Sequence, residues 1–226
     1  MASKSVERMH AECAVKLLGK DWRLAEIEEP VDFEVHTSGA SFGLEVTQVF
    51  VDGARNPSSS VKREESLNAK AIKKLADGYY GKGGRRVLAR FGGPLQRIVA
   101  DDLIAAMLNR QPSCENEQVS FSVGAVKVYL TALPEAVGDD RHWLCVSDRV
   151  GWVREATQRD LQPAVDRKAG KMESYRKKFQ DVVLLLVADR IFNSGRLQVG
   201  EGLSVKNPGF KAIYFLSYPE AIIQVG

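Results

Sequence analysis

The sequence predicts an α/β protein whose mixed β-sheet is flanked by helices. Two observations support this class: segments with helical and with strand periodicity alternate along the chain, and 44% of the 226 residues are hydrophobic while 27% are charged. Such a composition is ordinary for a packed globular protein. No long low-complexity linker interrupts the chain, so we expect a single domain over residues 1–226.

Composition excludes several functional classes. The longest apolar run, Val182 to Ala188, is too short to cross a bilayer, and no leader-like segment opens the chain. The three cysteines are scattered, as is typical of free thiols in a reducing compartment. We therefore expect a cytoplasmic protein with no membrane partner. His142 and Cys145 lack the second ligand pair of a zinc site, and the formal charge of +3 permits a polyanionic partner without requiring one.

The chain begins with a helix and a hairpin. Apolar residues recur at helical spacing from Val6 to Leu17, which predicts a helix over Ser5 to Leu18. Two segments of alternating apolar and polar residues follow, Val31 to Val35 and Phe42 to Thr47, and the turn-like residues between them predict a β-hairpin.

Periodicity and turn residues also assign the remaining elements. In chain order they are a helix from Val61 to Asp77, a strand from Val87 to Phe91, a helix from Pro94 to about Asn109, one or two strands over Val119 to Leu130 with a possible bulge at Gly124, a strand from Trp143 to Val146, a helix from Pro163 to about Phe179, a strand from Val182 to Ala188 that is buried on both faces, and a last strand from Ala212 to Ser217.

The hairpin carries acids at informative positions. Residues two apart share a face of a strand, so Asp32 and Glu45 are expected to converge on one polar surface if the two strands pair. Like charges that meet across strands are destabilising. A divalent cation bound by both carboxylates would remove that penalty, and Mg²⁺ prefers such hard oxygen ligands. The alternative is a hairpin with one solvated face, on which the acids only contribute solubility.

Two short motifs in this hairpin resemble the PD-(D/E)XK nuclease superfamily. Pro30-Val31-Asp32-Phe33 is similar to its first half-motif, and Gly43-Leu44-Glu45-Val46-Thr47 is similar to a bacterial and phage branch that reads G-[IL]-E-V-T. The resemblance implies a restriction-endonuclease-like fold in which Asp32 and Glu45 hold Mg²⁺ or Mn²⁺. Residues 51–151 would then form a large insertion after the acidic hairpin.

One residue of the second motif departs from the family. Thr47 stands where active members carry a lysine that orients the attacking water or stabilises the phosphate. A threonine has no positive charge, so the resemblance leaves two alternatives open. Either a lysine from elsewhere in the chain replaces it, or catalysis is impaired.

A later segment resembles another family pattern. Val165, Lys168, Lys171 and Tyr175 follow the spacing I-x-x-K-x-x-K-x-x-x-Y, directly before the buried strand that starts at Val182. On one continuous helix the two lysines and the tyrosine would share a narrow face. The resemblance implies that Lys171 replaces the missing lysine, while Lys168 and Tyr175 position the phosphate. The alternative is a helix with solvated lysines and a half-buried tyrosine.

Two further sets of residues are candidates. In the resembling fold a helix before the hairpin can lend a glutamate to the metal, which suggests Glu12, with Glu7 as its helical neighbour. The alternative for either residue is a solvated acid on the helix surface. The glycine-rich segment after the second helix places Lys82, Arg85 and Arg86 near two tyrosines, where they could contact nucleic acid. Exposed basic side chains of this kind are also common without such a role.

Three functional hypotheses follow. The first is a metal-dependent nuclease that hydrolyses phosphodiester bonds of DNA or, less favoured, RNA, and the resemblance allows a homodimer. The second keeps the fold without the chemistry, as a nucleic-acid-binding or protein-binding module. The third is a structural or accessory protein in which the acids are only surface residues.

Overall fold

The computed structural model describes residues 4–53, 60–115, 117–134, 143–146 and 153–226. The chain divides into two compact units. The first comprises Met1–Lys62 and Trp152–Gly226, and the second comprises Arg63–Gly151. The second unit nearly coincides with the stretch for which the family resemblance has no counterpart.

In the described part of the first unit there are three α-helices and the strands of two sheets. The helices are α1 (Lys4–Leu18), α4 (Gln158–Ala169) and α5 (Met172–Arg176), and the strands are β1 (Arg23–Glu26), β2 (Phe33–His36), β3 (Ser41–Gln48), β8 (Arg154–Glu155), β9 (Val182–Asp189), β10 (Leu197–Gln198), β11 (Ala212–Tyr218) and β12 (Ala221–Gln224). Helix α2 (Ser60–Gly81) starts here and runs into the second unit.

The large sheet of the first unit is mixed, as predicted. Its strand order is β1-β2-β3-β9-β11-β12. Strands β2 and β3 form the predicted antiparallel hairpin, whereas β3, β9 and β11 run parallel to one another. All eight residues of β9 are buried, which confirms the prediction of a strand covered on both faces.

Helices cover both faces of this sheet. On one face, Ala11 and Ala14 of α1 pack against a cluster that includes Leu44 and Leu185. On the other face, Leu161 and Val165 of α4 and Tyr175 of α5 pack against residues that include Leu184 and Leu186 of β9. Side chains on either face of β3 are therefore enclosed, because each face lies under a helix.

The prediction of one helix from Pro163 to Phe179 is wrong in two respects. Helix α4 already begins at Gln158, because the Asp160 carboxylate accepts 2.8 Å hydrogen bonds from the main-chain N–H and the hydroxyl of Thr157, which is a capping box. The helix then ends at Ala169, and Lys171 lies before α5 with φ −99° and ψ 2°. Lys168 and Tyr175 therefore belong to different helices.

Short edge strands were not predicted from the sequence. Strand β1 is paired with β2, and β12 with β11, so both lie at the edges of the sheet. Edge strands of four residues have a partly exposed surface and too little alternation to be recognised by pattern.

The second unit is built on a four-stranded sheet with the order β5-β6-β4-β7. Its strands are β4 (Val87–Gly92), β5 (Gln118–Val123), β6 (Val126–Ala132) and β7 (Trp143–Val146), and its second helix is α3 (Ala100–Leu108). Helices α2 and α3 pack on one face of the sheet, with Tyr79 and Leu103 among their fully buried side chains.

Two predictions in this unit are refined by the structure. The helix from Pro94 is a short 3₁₀ turn at Leu95–Arg97 followed by α3. The segment from Val119 to Leu130 is two strands that turn at Gly124, whose φ of +56° favours glycine. Among the residues described, no helix combines the length and the apolar composition that spanning a membrane requires.

Candidate active site

The hairpin places Asp32 beside β3. Asp32 directly precedes β2, and its main-chain N–H donates to the carbonyl of Leu44 at 3.2 Å. The Asp32 carboxylate in turn accepts a 2.8 Å hydrogen bond from the N–H of Val46 through Oδ2. The aspartate is thus held against the main chain on both sides of Glu45.

Glu45 is buried on the face of β3 that lies under α4. Its side chain is only 6% exposed, and Oε1 accepts a hydrogen bond from Nζ of Lys168. Burial raises the pKa of the Glu45 carboxyl, and the negative charge of Asp32 raises it further, while the Lys168 ammonium opposes both effects. Asp32 and Glu45 are therefore close enough for their charges to interact.

Gly43 makes room for this arrangement. It lies two residues before Glu45, on the same face of β3. A Cβ at this position would come within 3.1 Å of the Phe179 ring and of a Val31 methyl group. The glycine of the second motif therefore has a packing reason, since Phe179 lies closely over the strand.

Tyr175 lies in the interior beside the two carboxylates. Its side chain is fully buried, and within the described residues its hydroxyl has no hydrogen-bond partner of normal geometry. Burial raises the pKa of the phenol strongly, and the charge of Glu45, hydrogen bonding toward its carboxylate and the charge of Asp32 raise it further. The hydroxyl consequently stays protonated beside the Glu45 carboxylate, although no hydrogen bond of normal geometry reaches it within the described residues.

The N-terminal helix adds one cation and one acid to this group. Nζ of Lys4 lies 3.1 Å from Oδ1 of Asp32 and 3.7 Å from Oε2 of Glu7. Burial raises the pKa of the Glu7 carboxyl, and the Asp32 charge raises it further, whereas the charges of Lys4 and Lys168 lower it. Glu7 is therefore a third carboxylate in electrostatic contact with the hairpin acids.

A buried polar pair anchors this helix on the sheet. Nε2 of His10 in α1 lies 3.2 Å from Oδ2 of Asp189 at the end of β9, and both side chains are buried. The His10 ring also packs edge-on against Tyr218, with centroids 4.9 Å apart. Because Glu7 precedes His10 by one helical turn, this contact helps to set the position of Glu7.

The structure does not bring Glu12 into the group. Its side chain is 59% exposed, and its carboxylate lies 3.4 Å from Nη1 of Arg8. Five residues correspond to about 140° of rotation around a helix, so Glu7 and Glu12 face different directions. The sequence singled out the acid on the wrong face of α1, because the rotation of a helix against its sheet is set by tertiary packing.

Lys171 and Thr47 lie near the carboxylates without a direct bond to them. The charge of Lys171 lowers the pKa of Glu45, so the ammonium is within electrostatic range. Thr47 lies two residues beyond Glu45 on the same face of β3, partly buried, and pairs across the sheet with Leu186. The lysine that contacts the acidic residue is Lys168, not Lys171.

The basic residues near the end of α2 are engaged within the second unit. Nζ of Lys82 lies 3.1 Å from Oδ1 of Asp101. Arg85 donates to the carbonyl oxygens of Pro112 and Ser113 at 2.9 and 2.6 Å. Arg86 also has an interaction partner. Arg85 thus has an evident structural role in holding the loop after α3.

Within the residues that the structure describes, no group of three or more His, Cys, Asp or Glu side chains is arranged to hold a metal ion. His142, considered with Cys145 for zinc, lies outside the described residues. Any magnesium site here would rest on two carboxylates, with other oxygen ligands completing the shell.

Sequence reasoning missed the contribution of Lys4 and did not select Glu7. A basic and an acidic residue three positions apart near the start of a helix were the available signal, but many solvated helices contain such a pair.

Comparisons of the chain with protein-family models, with curated proteins and with solved structures find no match.

Proposed function

We propose that the protein is a metal-dependent nuclease that hydrolyses phosphodiester bonds, with DNA as the favoured substrate. The observation that carries this proposal is the electrostatic coupling of Asp32 and Glu45 beside the Lys168 ammonium and the unpartnered Tyr175 hydroxyl. The mixed sheet flanked by helices is compatible with the restriction-endonuclease-like fold of the superfamily that the sequence motifs resemble. We propose that the first unit has this fold.

The donor set fits a magnesium or manganese ion. Asp32 and Glu45 supply hard carboxylate oxygens from adjacent positions of the hairpin. The N–H of Val46 points toward Asp32, and because the N–H and C=O of one strand residue face the same edge, the Val46 carbonyl is available there as well. A bound ion would polarise a phosphoryl oxygen and lower the pKa of a coordinated water.

In this proposal Lys168 and Tyr175 provide the positive charge and the hydrogen-bond donor for the phosphate that a lysine at position 47 would otherwise supply. The Lys168 ammonium, which contacts Glu45, takes the role of the strand lysine and stabilises negative charge on the phosphate. The Tyr175 hydroxyl remains protonated because its pKa is raised, so it donates a hydrogen bond to a phosphate oxygen. Lys171 contributes positive charge from the start of α5, and Glu7 of α1 adds negative charge beside Asp32.

Cleavage assays test this proposal directly. Purified protein is incubated with single-stranded and double-stranded DNA in Mg²⁺ or Mn²⁺, and EDTA is the negative control. We expect Asp32→Asn and Glu45→Gln to reduce cleavage more than about 100-fold. Removing a residue that only hydrogen-bonds a metal ligand typically costs about 10- to 100-fold in activity, and removing the ligand itself should cost more. Glu12→Gln is the matched control, because that acid is exposed and paired with Arg8. Cleavage that survives both hairpin substitutions contradicts the proposal.

A second function, a nucleic-acid or protein-binding module without catalysis, is favoured by one observation. Lys4 and Lys168 already neutralise Asp32 and Glu45, so the acids have internal counter-ions. A metal titration separates the two functions. A metal site must raise the melting temperature with Mn²⁺ by mass action. A melting temperature that stays constant up to millimolar Mn²⁺ selects the binding module.

A further inference from the structure

Among the described residues of the second unit, α2 and α3 cover one face of the sheet, and the other face, which the proposed chemistry does not use, is called the open face here. Alternate residues of β4, β5 and β6 point away from the core formed with α2 and α3. The outward residues Ser120 and Lys127 are exposed, Arg90 and Tyr129 are half-buried, and Leu144 of β7 is 44% exposed.

The strand register gathers these outward residues into one row. Tyr129 of β6 pairs with Ser120 on one side and with Arg90 on the other, and Arg90 pairs in turn with Leu144. Lys127 lies two residues before Tyr129, on the same face. Tyr129 thus has one cation beside it on the neighbouring strand, Arg90, and a second on its own strand, Lys127.

Both cations interact with the tyrosine ring. Nζ of Lys127 lies 5.2 Å from the ring centroid, and the guanidinium carbon of Arg90 lies 5.8 Å from it. Arg90 also donates from Nη2 to Oε1 of Gln118 at 3.0 Å. Its Nε is buried and has no hydrogen-bond partner within the described residues.

The charge of the face has one sign. The four strands contain no aspartate or glutamate, and Arg90 and Lys127 are their only charged residues. A surface of this kind is complementary to a polyanion that also offers flat apolar groups. Nucleic-acid bases stack on aromatic rings while phosphates bind arginine and lysine.

We propose that this face of the four-stranded sheet binds single-stranded DNA, with one base stacked on Tyr129 and the flanking phosphates held by Arg90 and Lys127. A single strand fits better than a duplex, because only unpaired bases expose their faces to a side chain. This binding is separate from hydrolysis and requires no metal.

Fluorescence anisotropy in EDTA tests the proposal on the full chain. The probe is fluorescein-labelled oligo(dT), and a duplex and an oligo(rU) of equal length are comparison arms. We expect tight binding of oligo(dT) alone, and a loss of roughly 10-fold for Tyr129→Ala, while Tyr129→Phe retains affinity. Arg90→Gln with Lys127→Gln is expected to reduce the slope of log K against log salt by about 1.4, which is about 0.7 for each phosphate contact.

A matched control removes two positive charges from the helix that covers the other face of the four-stranded sheet. Lys73→Gln with Lys74→Gln changes two exposed lysines of α2, the helix that covers the other face of the sheet, and we expect affinity and salt slope to stay within twofold of the wild type. Circular dichroism confirms that each variant is folded. The proposal is overturned if the wild type fails to bind oligo(dT), if oligo(rU) or the duplex binds equally well, or if Tyr129→Ala binds like the wild type. Binding in EDTA without cleavage in Mg²⁺ supports this proposal and contradicts only the nuclease.

Discussion

The six-stranded and the four-stranded sheet differ in how their charged side chains are accommodated. The six-stranded sheet has helices on both faces, and its central acid, Glu45, is 6% exposed and bonded to Lys168. The four-stranded sheet has α2 and α3 on one face, and on the other Arg90 and Lys127 lie beside Tyr129 without an acid in the strands.

The difference shows what covering a sheet imposes on its polar residues. Under a helix, a charge loses its water, and it must be paired because an isolated buried charge costs several kcal/mol. On an open face, water solvates like charges, so two cations can remain together at little cost. The buried acids are therefore coupled to folding, whereas the open cations are free to serve binding alone.

The largest expected effect compares Lys168 of α4, which is bonded to the buried acid of the six-stranded sheet, with Lys127 of the four-stranded sheet. Lys168→Met removes the partner of a buried carboxylate, and we expect the free energy of unfolding at pH 7 to fall by about 2–4 kcal/mol. Lys127→Met changes an exposed side chain and should stay within about 0.5 kcal/mol of the wild type. Urea-induced unfolding followed by circular dichroism measures both values.

The pH dependence of the Lys168→Met effect gives a second check. The pKa of Glu45 is raised by burial and by Asp32, so the carboxyl takes up its proton at a higher pH than an ordinary glutamate does. Once it is neutral it no longer needs the ammonium, and the penalty of Lys168→Met should shrink as the pH falls through this raised pKa. Equal losses for the two methionine variants would remove the contrast between the sheets.

Parts of this contrast are predictable from the sequence. Strand β9 is an uninterrupted apolar run between turn residues, and the hairpin strands alternate apolar and polar residues, so periodicity identifies them. Once β2 and β3 pair, Asp32 and Glu45 must be neighbours across the hairpin. The mixed class of the large sheet follows from the same elements.

The remainder depends on tertiary packing. The break at Gly170 separates Lys168 from Tyr175, although the sequence spacing suits one continuous helix. The rotation of α1 brings Glu7 to Asp32 and leaves Glu12 exposed, and no local pattern encodes that rotation. The open face was not recognised because Arg90 and Tyr129 become neighbours only through pairing of β4 with β6.

A smaller effect compares two buried tyrosines. The Tyr175 hydroxyl has no hydrogen-bond partner within the described residues, whereas the Tyr79 hydroxyl donates to Oε1 of Gln111 at 3.1 Å. Tyr175→Phe removes an unsatisfied buried group, so the free energy of unfolding should stay constant or rise by up to about 1 kcal/mol. Tyr79→Phe should lower it by about 1 kcal/mol.

The cleavage activity of the two tyrosine variants is expected to differ as well. If the Tyr175 hydroxyl donates to the phosphate, Tyr175→Phe lowers cleavage while it preserves stability, and Tyr79→Phe does the reverse. Unfolding in urea and the cleavage assay report the two quantities separately. A loss of stability for Tyr175→Phe that matches Tyr79→Phe would mean that the hydroxyl has a structural partner after all.

The smallest expected effect concerns the two acids of α1. Burial and the Asp32 charge raise the pKa of Glu7 above its ordinary value of 4.5. A carboxyl whose pKa is raised on folding destabilises the native state once it is ionised, so stability falls as the pH rises through this range. In metal-free buffer at pH 7, Glu7→Gln should therefore raise the free energy of unfolding by up to about 1 kcal/mol.

Substitution of the exposed acid Glu12 is expected to change the free energy of unfolding in the opposite direction. It lies one turn from Arg8, so Glu12→Gln should lower the free energy of unfolding by about 0.3 kcal/mol. The gain for Glu7→Gln should disappear as the pH falls below 4.5, the ordinary pKa of a glutamate, because the Glu7 carboxyl is then protonated in both the folded and the unfolded chain. Thermal melts over pH 3 to 8 in EDTA distinguish the two residues. A loss of stability for Glu7→Gln at pH 7 would show that the attraction between Glu7 and Lys4 outweighs the repulsion between Glu7 and Asp32. Glu7 would then stabilise the fold through Lys4 rather than belong to the coupled carboxylates.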